Sequence, residues 1–382
     1  MLRKHGKYAD TGAMQAREAL KIVVVGGSLA GLMTGISLAR QGHHVTMLER
    51  ADRIRPSGAS LLVREDDLRS ILGPEQARAA VRMAGPVDAR AHGEVPATWQ
   101  GLYEGLCQVA EGLPTMDMHH RTRAVEVGQE GERAWARADD GETYTGDLLV
   151  GADGYRSLVR ASVAPDRPDA EFAGYVLWLG VAKESDLDYT GPWPGGLDIR
   201  DSGDNLLLGY PLASPEGSTE PGERRLGWGW YDNSRNHVLR ETGAVRGNVT
   251  HHTLRGHDVD QHVLADLVRE AGLRWPHPWR AAIEDCLSRT DFLGTPINEY
   301  VPDRLRNGRM VILGDAAHVP TPMTGRGFAT SLDDAAALAR HMADATAATL
   351  PDTLASYESE RLAPAQELVL SGQMFSRSFG RP

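Results

Sequence analysis

The sequence predicts an α/β fold in which a domain with a parallel sheet is interrupted by a mixed-sheet domain and completed by a helical C-terminus. A strand, a glycine-rich turn, a helix and a second strand follow one another within residues 21–50. Between about 165 and 300 the sequence becomes rich in tryptophan and in alternating strands. Strand and glycine signals like those of the first segment resume only near 308, so we expect the middle segment to be an insertion.

The apolar pattern of residues 21–50 predicts each element of the first unit. Lys21–Val25 is a short apolar run that predicts a buried strand, and Gly26-Gly27-Ser28 follows it as a turn. His44–Leu48 predicts a second strand. Between the turn and this strand, apolar residues recur at helical spacing: Leu29, Leu32, Met33, Ile36 and Ala39. The segment is therefore a βαβ unit, with the right-handed crossover expected of such units.

Shorter patterns predict the other elements that flank the insertion. Arg121–Asp140 alternates around glycines, which favours a β-hairpin. Asp147–Val150 and Met310–Leu313 are apolar runs that predict buried strands. Helical periodicity begins at Pro351 and indicates a C-terminal helix.

These elements divide the 382-residue chain into two domains. Residues 1–165 and 300–382 are predicted to form the first domain, and residues 165–300 the second. Part of 60–100 is a further candidate for the second domain. A chain of this length that is 41% hydrophobic has enough apolar surface for two cores.

Six of the eight tryptophans lie in the second domain, and two of them alternate with glycine. In Leu226–Trp230, Trp228 and Trp230 fall on one face of the predicted strand. Gly227 and Gly229 fall on the other face. Two interpretations follow: the indole rings form the wall of a binding pocket, or they pack in the core. We expect core packing for at least one of the two rings.

Composition argues against several classes of protein. The net charge of −11, without any local run of Lys and Arg, argues against a nucleic-acid partner. No apolar run approaches the roughly 20 residues of a membrane span, and the first twenty residues lack the apolar segment of a secretory signal. Cys107 and Cys286 lie outside any CxxC pattern, so we expect no disulfide, no thiolate zinc site and a cytoplasmic protein. The paired histidines lack the spacing of metal ligands, so no metal is expected.

A nucleotide-binding pattern occupies the turn of the first unit. Gly26-Gly27-Ser28-Leu29-Ala30-Gly31 matches G-x-G-x-x-G with serine in place of the second glycine, and Glu49-Arg50 closes the next strand. Gly26 permits the turn, Gly31 lets the helix lie close to the sheet, and the helix N-terminus offers N–H groups to a pyrophosphate. Glu49 can accept hydrogen bonds from ribose hydroxyls. A glycine turn is also a common structural device, and this pattern does not choose between NAD and FAD.

Two later segments resemble the motifs of one protein family. Residues 147–160, Asp-Leu-Leu-Val-Gly-Ala-Asp-Gly-Tyr-Arg-Ser-Leu-Val-Arg, resemble D-x-x-V-G-A-D-G-x-x-S-x-V-R. Residues 308–327 resemble G-R-V-x-L-x-G-D-A-A-H-x-x-x-P-x-x-G-x-G. Both motifs are those of the single-component FAD-dependent aromatic hydroxylases with the para-hydroxybenzoate hydroxylase fold. The resemblance implies a Rossmann-like FAD-binding domain of the glutathione reductase type, and FAD that is bound without a covalent link.

The resemblance also implies roles for particular residues. Asp153 would lie near both FAD and the nicotinamide cosubstrate, and Asp315 would hold the ribityl chain of FAD. The turn Gly325-Arg326-Gly327-Phe328, shortly after Pro322, would open a helix whose N–H groups face the flavin N1–C2=O edge. There they would stabilise the negative charge that reduction creates. The structural alternative is that the glycines only cap a helix and that Asp315 is an N-cap.

Within the family, the chain resembles the members that hydroxylate dihydroxypyridines. It shares their glycine-turn start and has an aromatic residue, Trp99, where many relatives carry an arginine that contacts the flavin. The stretch Ala173-Gly174-Tyr175, followed by Trp178, also resembles them. This likeness implies a polar, electron-rich ring as substrate. Leu179 departs from it, because those members have arginine there, and Ala329 stands where many relatives have asparagine.

The reaction implied by the resemblance is hydroxylation of a small aromatic or heteroaromatic ring. NADH or NADPH, bound transiently, would reduce FAD, and O₂ would then form a flavin C4a-hydroperoxide that transfers a hydroxyl group. A group that helps a substrate hydroxyl to lose its proton would make the ring more nucleophilic. His318, Tyr210 and Tyr175 are the candidates, because histidine titrates near neutral pH and tyrosine can orient a phenol.

Several alternatives remain open on the sequence alone. A flavin oxidase or epoxidase would use the same scaffold. A flavin-binding protein that has lost oxygenation would retain the same motifs, and an NAD-dependent dehydrogenase would use the first βαβ unit directly. We expect a monomer or a homodimer whose partners are the ring substrate and O₂.

Overall fold

The computed structural model describes residues 19–53, 60–84 and 95–380. In these residues the α-helices are α1 (Leu29–Arg40), α2 (Glu65–Ala84), α3 (Trp99–Glu111), α4 (Leu158–Val163), α5 (Asn236–Glu241), α6 (Gln261–Arg274), α7 (Trp279–Ser288), α8 (Gly327–Met342) and α9 (Leu350–Phe379). The strands before the predicted insertion are β1 (Lys21–Val25), β2 (His44–Glu49), β3 (Ser60–Val63), β4 (Val95–Thr98), β5 (Met116–His120), β6 (Ala124–Glu130), β7 (Arg133–Ala138), β8 (Thr143–Gly146) and β9 (Leu148–Gly151). The later strands are β10 (Glu171–Lys183), β11 (Asp198–Asp201), β12 (Asn205–Leu212), β13 (Arg225–Asp232), β14 (Val245–Arg246), β15 (Val249–Thr250), β16 (Leu254–Arg255), β17 (Phe292–Glu299), β18 (Arg306–Asn307) and β19 (Met310–Ile312).

Six strands form the first sheet, in the order β18-β19-β9-β1-β2-β5. Every neighbouring pair is parallel except β18 with β19. The predicted βαβ unit is confirmed, because β1 has the predicted bounds, α1 forms the crossover and β2 pairs with β1 in parallel. Ile22, Val23, Val24 and Val25 are all buried, as expected for a parallel strand that is covered on both faces.

Helices and a small sheet cover this parallel sheet. Helix α1 packs against α8 and α3, and α2 packs against α3. The three-stranded sheet β6-β7-β8 packs against β1 and β9. The predicted hairpin is confirmed within it, as β6 paired with β7 in antiparallel.

The second sheet has eight strands, and all of them come from Glu171–Glu299. The long strand β10 lies between β13 and β17, and the strand pairs of this sheet are antiparallel. The division into domains at residues 165 and 300 stays a prediction. The separation of the strands of the two large sheets along the chain supports it.

The two faces of the second sheet differ sharply in what covers them. Trp178, Trp228 and Trp230 are fully buried in a core that includes α6 and α7 residues such as Leu267 and Trp279. The indole rings fit because glycines lie beneath them, and a Cβ at Gly180 would meet the ring of Trp228. Core packing is therefore confirmed for both tryptophans of β13. The interpretation that they form a pocket wall is wrong. On the glycine face of the sheet, Leu179 and Leu208 are only partly buried.

The C-terminal helix α9 links the two sheets. It begins at Leu350, runs past Pro364 and ends at Phe379. Leu354 and Tyr357 belong to the core of the first sheet, and Phe379 packs with Tyr175 of β10. The predicted helical C-terminus is confirmed, and its far end reaches the inserted sheet.

Within residues 19–53, 60–84 and 95–380, we find no helix with the length and apolar character that a membrane span would need.

The difference between the sheet faces predicts unequal responses to two glycine substitutions. In Gly209→Ala the new Cβ would lie 2.5 Å from the ring of Trp279, so we expect the free energy of unfolding to fall by about 1–3 kcal/mol. The matched control is Gly229→Ala on the opposite face, where Cβ would meet only Leu177 Cδ1 within 4 Å, at 3.2 Å. We expect a smaller loss there. Urea unfolding of both variants measures the difference, and equal losses would contradict this account of the two faces.

Candidate active site

A continuous cleft lies at the carboxyl ends of β1, β2, β9 and β19. It consists of two cavities of about 900 and 660 Å³, both open to solvent. Ser28, Ala152 and Gly154 line both cavities, so the two are joined. The carboxyl edge of a parallel sheet is the usual place for a ligand in an open α/β fold.

The first cavity contains five of the residues predicted from the sequence. They are Gly26, Ser28, Glu49, Arg50 and Asp153. Three lining residues that sequence reasoning did not single out are Thr122, Arg123 and Arg156. Arg50, Arg123 and Arg156 give this cavity local positive charge in a chain of net negative charge, which suits a phosphate.

The second cavity contains most of the other predicted residues. They are Leu29, Ala30, Trp99, Asp315, Gly327 and Phe328, and Ser28 lines this cavity as well as the first. Trp99 stacks on Tyr103, with ring centroids 5.0 Å apart. Leu61 and Ser331 also line this cavity, although no motif marks them in the sequence. Glu49, Asp315 and Gly327, which are far apart along the chain, therefore line one cleft.

Two glycines of the first turn have no room for a side chain. Gly26 has φ +104°, and an added Cβ would collide with the carbonyl oxygen of Ala152 in the neighbouring segment. At Gly31 an added Cβ would collide with the carbonyl oxygen of Gly26. These contacts explain why the turn needs glycine at both positions, and they fix the start of α1 close to the sheet.

Glu49 fixes the end of β2 to the same turn. Its side chain is buried, Oε2 accepts a hydrogen bond from the Gly27 N–H at 2.8 Å, and Oε1 accepts one from the Ala51 N–H at 2.7 Å. A carboxylate oxygen can accept more than one hydrogen bond, so Glu49 can hold the turn and still accept from a ligand hydroxyl.

Two helix N-termini open onto the cleft without a side-chain cap. Ser28 precedes α1 and Arg326 precedes α8, and neither side chain accepts a hydrogen bond from its helix. The first turns contain no acidic residue. Their free N–H groups and positive dipole ends are therefore suited to negative charge on a ligand. Pro322 and Arg326 are exposed beside this opening.

Gly325 and Gly327 also have the structural role considered for them. Gly325 has φ +62° and ends the 3-10 turn Pro322–Thr324, while Gly327 is the first residue of α8. Capping and ligand approach are compatible here, because a left-handed glycine places the chain so that the helix begins at the cleft.

Asp315 lies in the 3-10 turn Gly314–Ala316 and exposes its side chain to the cleft. The N-cap of that turn is Leu313, so the interpretation of Asp315 as an N-cap is wrong. Surrounding protein disfavours the charged carboxylate and raises the pKa of Asp315, while His318 and Arg160 oppose the shift. None of the hydrogen bonds among the described residues uses its carboxylate, which remains available to a ligand.

Asp153 lines the cleft but uses its carboxylate within the protein. Its oxygens accept hydrogen bonds from the Ser157 hydroxyl and from the N–H groups of Leu158 and Val159, at the start of α4. Burial raises the pKa of Asp153, and these hydrogen bonds partly offset the shift. The structure therefore supports a role in shaping the turn at Gly154.

Arg160 is fully buried behind this turn and was not singled out from the sequence, although it ends the first motif. It donates hydrogen bonds to the carbonyl oxygens of Tyr155, Pro168 and Ala316. Its guanidinium also lies 4.4 Å from the centroid of the Tyr300 ring. Arg160 thereby joins the Asp153 segment to the turn that carries Asp315.

His318 is buried in a network beneath the cleft. Its Nε2 lies 2.6 Å from Asp334 Oδ2, which also accepts from the Gly314 N–H, while Oδ1 accepts from Arg361. Burial opposes the charged imidazole, but the neighbouring Asp334 carboxylate prevails and raises the pKa of His318. For Asp334, burial raises the pKa, but His318 and Arg361 prevail and lower it. His318 does not line either cavity, and its catalytic role stays a prediction.

Tyr175 is also enclosed. Its hydroxyl lies 2.6 Å from Thr321 Oγ1 and 3.1 Å from Ser376 Oγ, and Ser376 donates to Glu299. Burial raises the pKa of Tyr175 to about 12, although the hydrogen bonds with Ser376 and Thr321 oppose the shift. These contacts tie β10 to α9 and to the residue before Pro322. Its catalytic role also stays a prediction.

Tyr210 has a more open position than the other two catalytic candidates. It is half-buried on the glycine face of the second sheet, and its ring covers Gly227. The three candidates therefore do not meet: His318 lies beneath the cleft, Tyr175 lies at the junction with α9, and Tyr210 lies on the sheet face.

Two stretches of the chain match known protein families. Residues 288–371 match the FAD binding domain, and residues 21–68 match the pyridine nucleotide-disulphide oxidoreductase family. The first stretch contains Asp315 and Gly327, and the second contains the glycine turn and Glu49. Both stretches therefore supply residues to the cleft.

Relatives that match most of the chain are oxygenases by name. Aurachin C monooxygenase/isomerase of Stigmatella aurantiaca is 28% identical over 379 residues, which cover 92% of this chain and 88% of that protein. The 2,6-dihydroxypyridine 3-monooxygenase of Paenarthrobacter nicotinovorans is 27% identical over 345 residues, with coverages of 84% and 82%. The solved 2,6-dihydroxypyridine-3-hydroxylase from Arthrobacter nicotinovorans has a TM-score of 0.74 at 22% identity and covers 96% of this chain and 94% of its own. This structural likeness confirms the predicted fold class.

The buried network at Asp334 predicts a pH-dependent loss of stability. In Asp334→Asn, His318 and Arg361 lose their counter-charge, so we expect the free energy of unfolding to fall by about 3–5 kcal/mol near pH 5.5. The raised pKa of His318 means that its contribution is complete below pH 6.5 and is lost as the pH rises through the folded value. The lowered pKa of Asp334 means that its contribution is present above pH 3.8. The destabilisation should therefore shrink at alkaline pH.

Urea unfolding between pH 5 and pH 9 measures this dependence. The matched control is Asp333→Asn, because Asp333 is exposed on the same helix and should change stability little. A loss for Asp334→Asn that is no larger than that of the control would contradict the assigned network.

Proposed function

We propose that this chain is a single-component FAD-dependent aromatic hydroxylase and that its cleft holds FAD in one particular orientation. The adenosine end lies in the first cavity, with the ribose at Glu49 and the pyrophosphate at the start of α1. The ribityl chain passes Asp315, and the ring system occupies the second cavity. The order of the donors along the joined cleft supports this orientation.

The donor set fits the group at each end. A pyrophosphate needs N–H groups and positive charge, which α1 and the arginines at 50, 123 and 156 provide. Ribityl hydroxyls need an acceptor, which the open carboxylate of Asp315 provides. The flavin N1–C2=O edge needs positive charge on reduction, which the uncapped start of α8 provides. This agreement at three separate points is the observation that carries the proposal.

Bound FAD would accept a hydride from NADH or NADPH and activate O₂, so that one oxygen atom is transferred to an aromatic or heteroaromatic ring. The protein must stabilise the negative charge on the reduced ring and keep water away from it. The N–H groups of α8 serve the first purpose. Trp99, Leu61 and Phe328, which line the second cavity, serve the second.

Buried charges hold these groups in place. Asp334 binds the Gly314 N–H and so fixes the turn that carries Asp315. Arg160 binds the Ala316 carbonyl from the other side. Neither residue lines the cleft, so we assign both as positioning residues. Their effect is to keep Asp315 directed at the ribityl chain without rearrangement during the reaction.

Among the three candidate bases, Tyr210 fits a direct substrate contact best, because it lies on the open sheet face. The enclosed hydroxyl of Tyr175 and the enclosed ring of His318 fit the role of positioning residues better. Both cysteines are buried and neither forms a disulfide within the described residues, which suits the cytoplasmic location that we propose. A monomer or a homodimer is compatible with these assignments.

An NAD-dependent dehydrogenase is the alternative from a different class. It would account for the glycine turn and Glu49. The dehydrogenase interpretation gives no role to the carboxylate of Asp315 or to the helix start at Gly327, although both open onto the same cleft. No feature of the site favours a flavin oxidase or an epoxidase over the hydroxylase.

Purification and turnover test the proposed reaction directly. We expect a yellow protein whose NADH or NADPH oxidation accelerates when a hydroxylated pyridine, quinoline or phenol is added. With isotopically labelled O₂, mass spectrometry should find one labelled oxygen atom in the ring product. The control is the same assay without the ring compound. A colourless protein that binds NAD tightly, or labelled hydrogen peroxide without labelled product, would contradict the proposal.

Asp315→Asn tests the proposed path of the ribityl chain. A carboxylate that accepts hydrogen bonds from hydroxyls contributes about 1.5–3 kcal/mol, so we expect FAD binding to weaken by about ten- to a hundredfold. The matched control is Asp291→Asn, whose side chain is 72% exposed and lies outside the cleft lining. Quenching of flavin fluorescence during titration of the apoprotein measures both affinities. Equal affinity for the two variants would rule out this role for Asp315.

A further inference from the structure

A row of apolar positions crosses the glycine face of the second sheet. Directly opposed residues on β11, β12, β13, β10 and β17 form it, in the order Ile199, Leu208, Gly229, Leu179 and Leu293. Opposed residues in an antiparallel sheet project from the same face. With about 4.8 Å between strands, the row spans roughly 19 Å.

The row is exposed at its two ends, and its middle residue, Gly229, is buried beside space that no side chain fills. Ile199 is 55% exposed and Leu293 is 39% exposed, at the two ends, while Leu208 and Leu179 are half-buried. At Gly229, in the middle, a Cβ would meet only the tip of Leu177 within 4 Å. The row is therefore a shallow apolar trough with its floor at Gly229.

The trough continues to the segment that we assign to the flavin. Leu208 packs in the same small cluster as Leu177 and Met323. Met323 belongs to the 3-10 turn that ends at Gly325, immediately before α8. An apolar path therefore leads from the helix start proposed for the flavin ring to the exposed end of the trough.

We propose that this trough binds an apolar substituent of the substrate, so that the substrate class is an aromatic ring that carries an alkyl chain or a fused hydrocarbon ring. The inference rests on the proposed function, because it requires the reacting ring to lie beside the flavin. It also gives a reason for Leu179, where the dihydroxypyridine-hydroxylating members have a charged residue. Each apolar group placed on the row loses contact with water, and Gly229 leaves the space it needs.

Tyr210 defines the polar limit of the trough. It lies next to Leu208 on the same face but one row away, and its ring covers Gly227. A Cβ at the neighbouring Gly227 would therefore collide with the Tyr210 ring, whereas a Cβ at Gly229 would meet only Leu177. The substituent consequently follows the row through Gly229.

A series of hydroxylated quinolines with unbranched 2-alkyl chains of one, three, five and seven carbons tests the inference. The readout is the KM of stimulated NAD(P)H oxidation, together with the oxygenated product. We expect the KM to fall by about two- to fourfold for each added methylene until the trough is filled. A KM that is flat or rises along the series overturns the inference. If no ring compound stimulates oxidation in the FAD-loaded enzyme, the proposed function itself fails, and the inference fails with it.

Variants test whether the dependence of the KM on chain length arises from the residues of the row. Gly229→Val fills the floor, so we expect it to abolish the dependence of the KM on chain length. Gly229→Ala and Leu293→Gln, which change the packing less, should each weaken the dependence. The matched control is Leu273→Gln, because Leu273 is 79% exposed on α6 and should leave the series unchanged. A response of the control equal to that of Leu293→Gln overturns the inference.

Measuring the oligomeric state distinguishes binding of a substrate substituent in the trough from binding of a second copy of the chain there. If the trough were an interface between copies, Ile199→Gln and Leu293→Gln would change the mass measured by light scattering and leave the KM series unchanged. That result overturns the inference. An unchanged mass together with a weakened series supports it.

Discussion

The cleft depends most on one buried carboxylate, that of Asp334. It accepts hydrogen bonds from a backbone N–H at Gly314, from His318 and from Arg361, which lie on two segments, the turn after β19 and the helix α9. A buried charge with three donors is far more stable than one that lacks any of them, because an unpaired buried charge is costly. The network therefore holds the turn of Asp315, the helix α8 and the helix α9 in a single arrangement. A ligand that contacts this turn meets groups that are already in position.

Arg160 applies the same principle from the opposite side of the cleft. It lies among carbonyl oxygens and the ring of Tyr300, and no carboxylate among the described residues forms an ion pair with it. Burial lowers its pKa, while the charges of the neighbouring acidic groups oppose that shift. Since its partners include Tyr155 and Ala316, the turn after Asp153 and the turn of Asp315 cannot separate without exposing the guanidinium. Two buried charges thus fix the backbone on both sides of one cavity.

The sequence predicts those parts of the fold and site that local rules determine. The bounds of β1 follow from its apolar run, and Gly26 follows from a turn with no space for a side chain. Arg160 lies inside a recognised motif and Asp334 lies on α8, but which atoms they bind depends on segments far away in the chain. The sequence also did not show which face of β13 would be buried with its tryptophans. Alternation on β13 separates two faces, but it does not indicate which of them α6 and α7 cover. Local pattern therefore gives the elements, and only tertiary contacts decide which surfaces remain open.

That distinction separates cofactor binding from substrate choice in this chain. The cofactor cleft is built from backbone groups at turns, and buried ion pairs hold those turns, so a side-chain change on the second sheet leaves it intact. The trough is built from side chains on a sheet whose other face carries the tryptophan core. A change at Gly229 or Leu179 alters the open face without disturbing that core, because successive side chains of a strand point to opposite sides. Under the proposed assignments, substrate range can therefore vary along this row while the proposed flavin contacts of Asp315 and α8 stay the same.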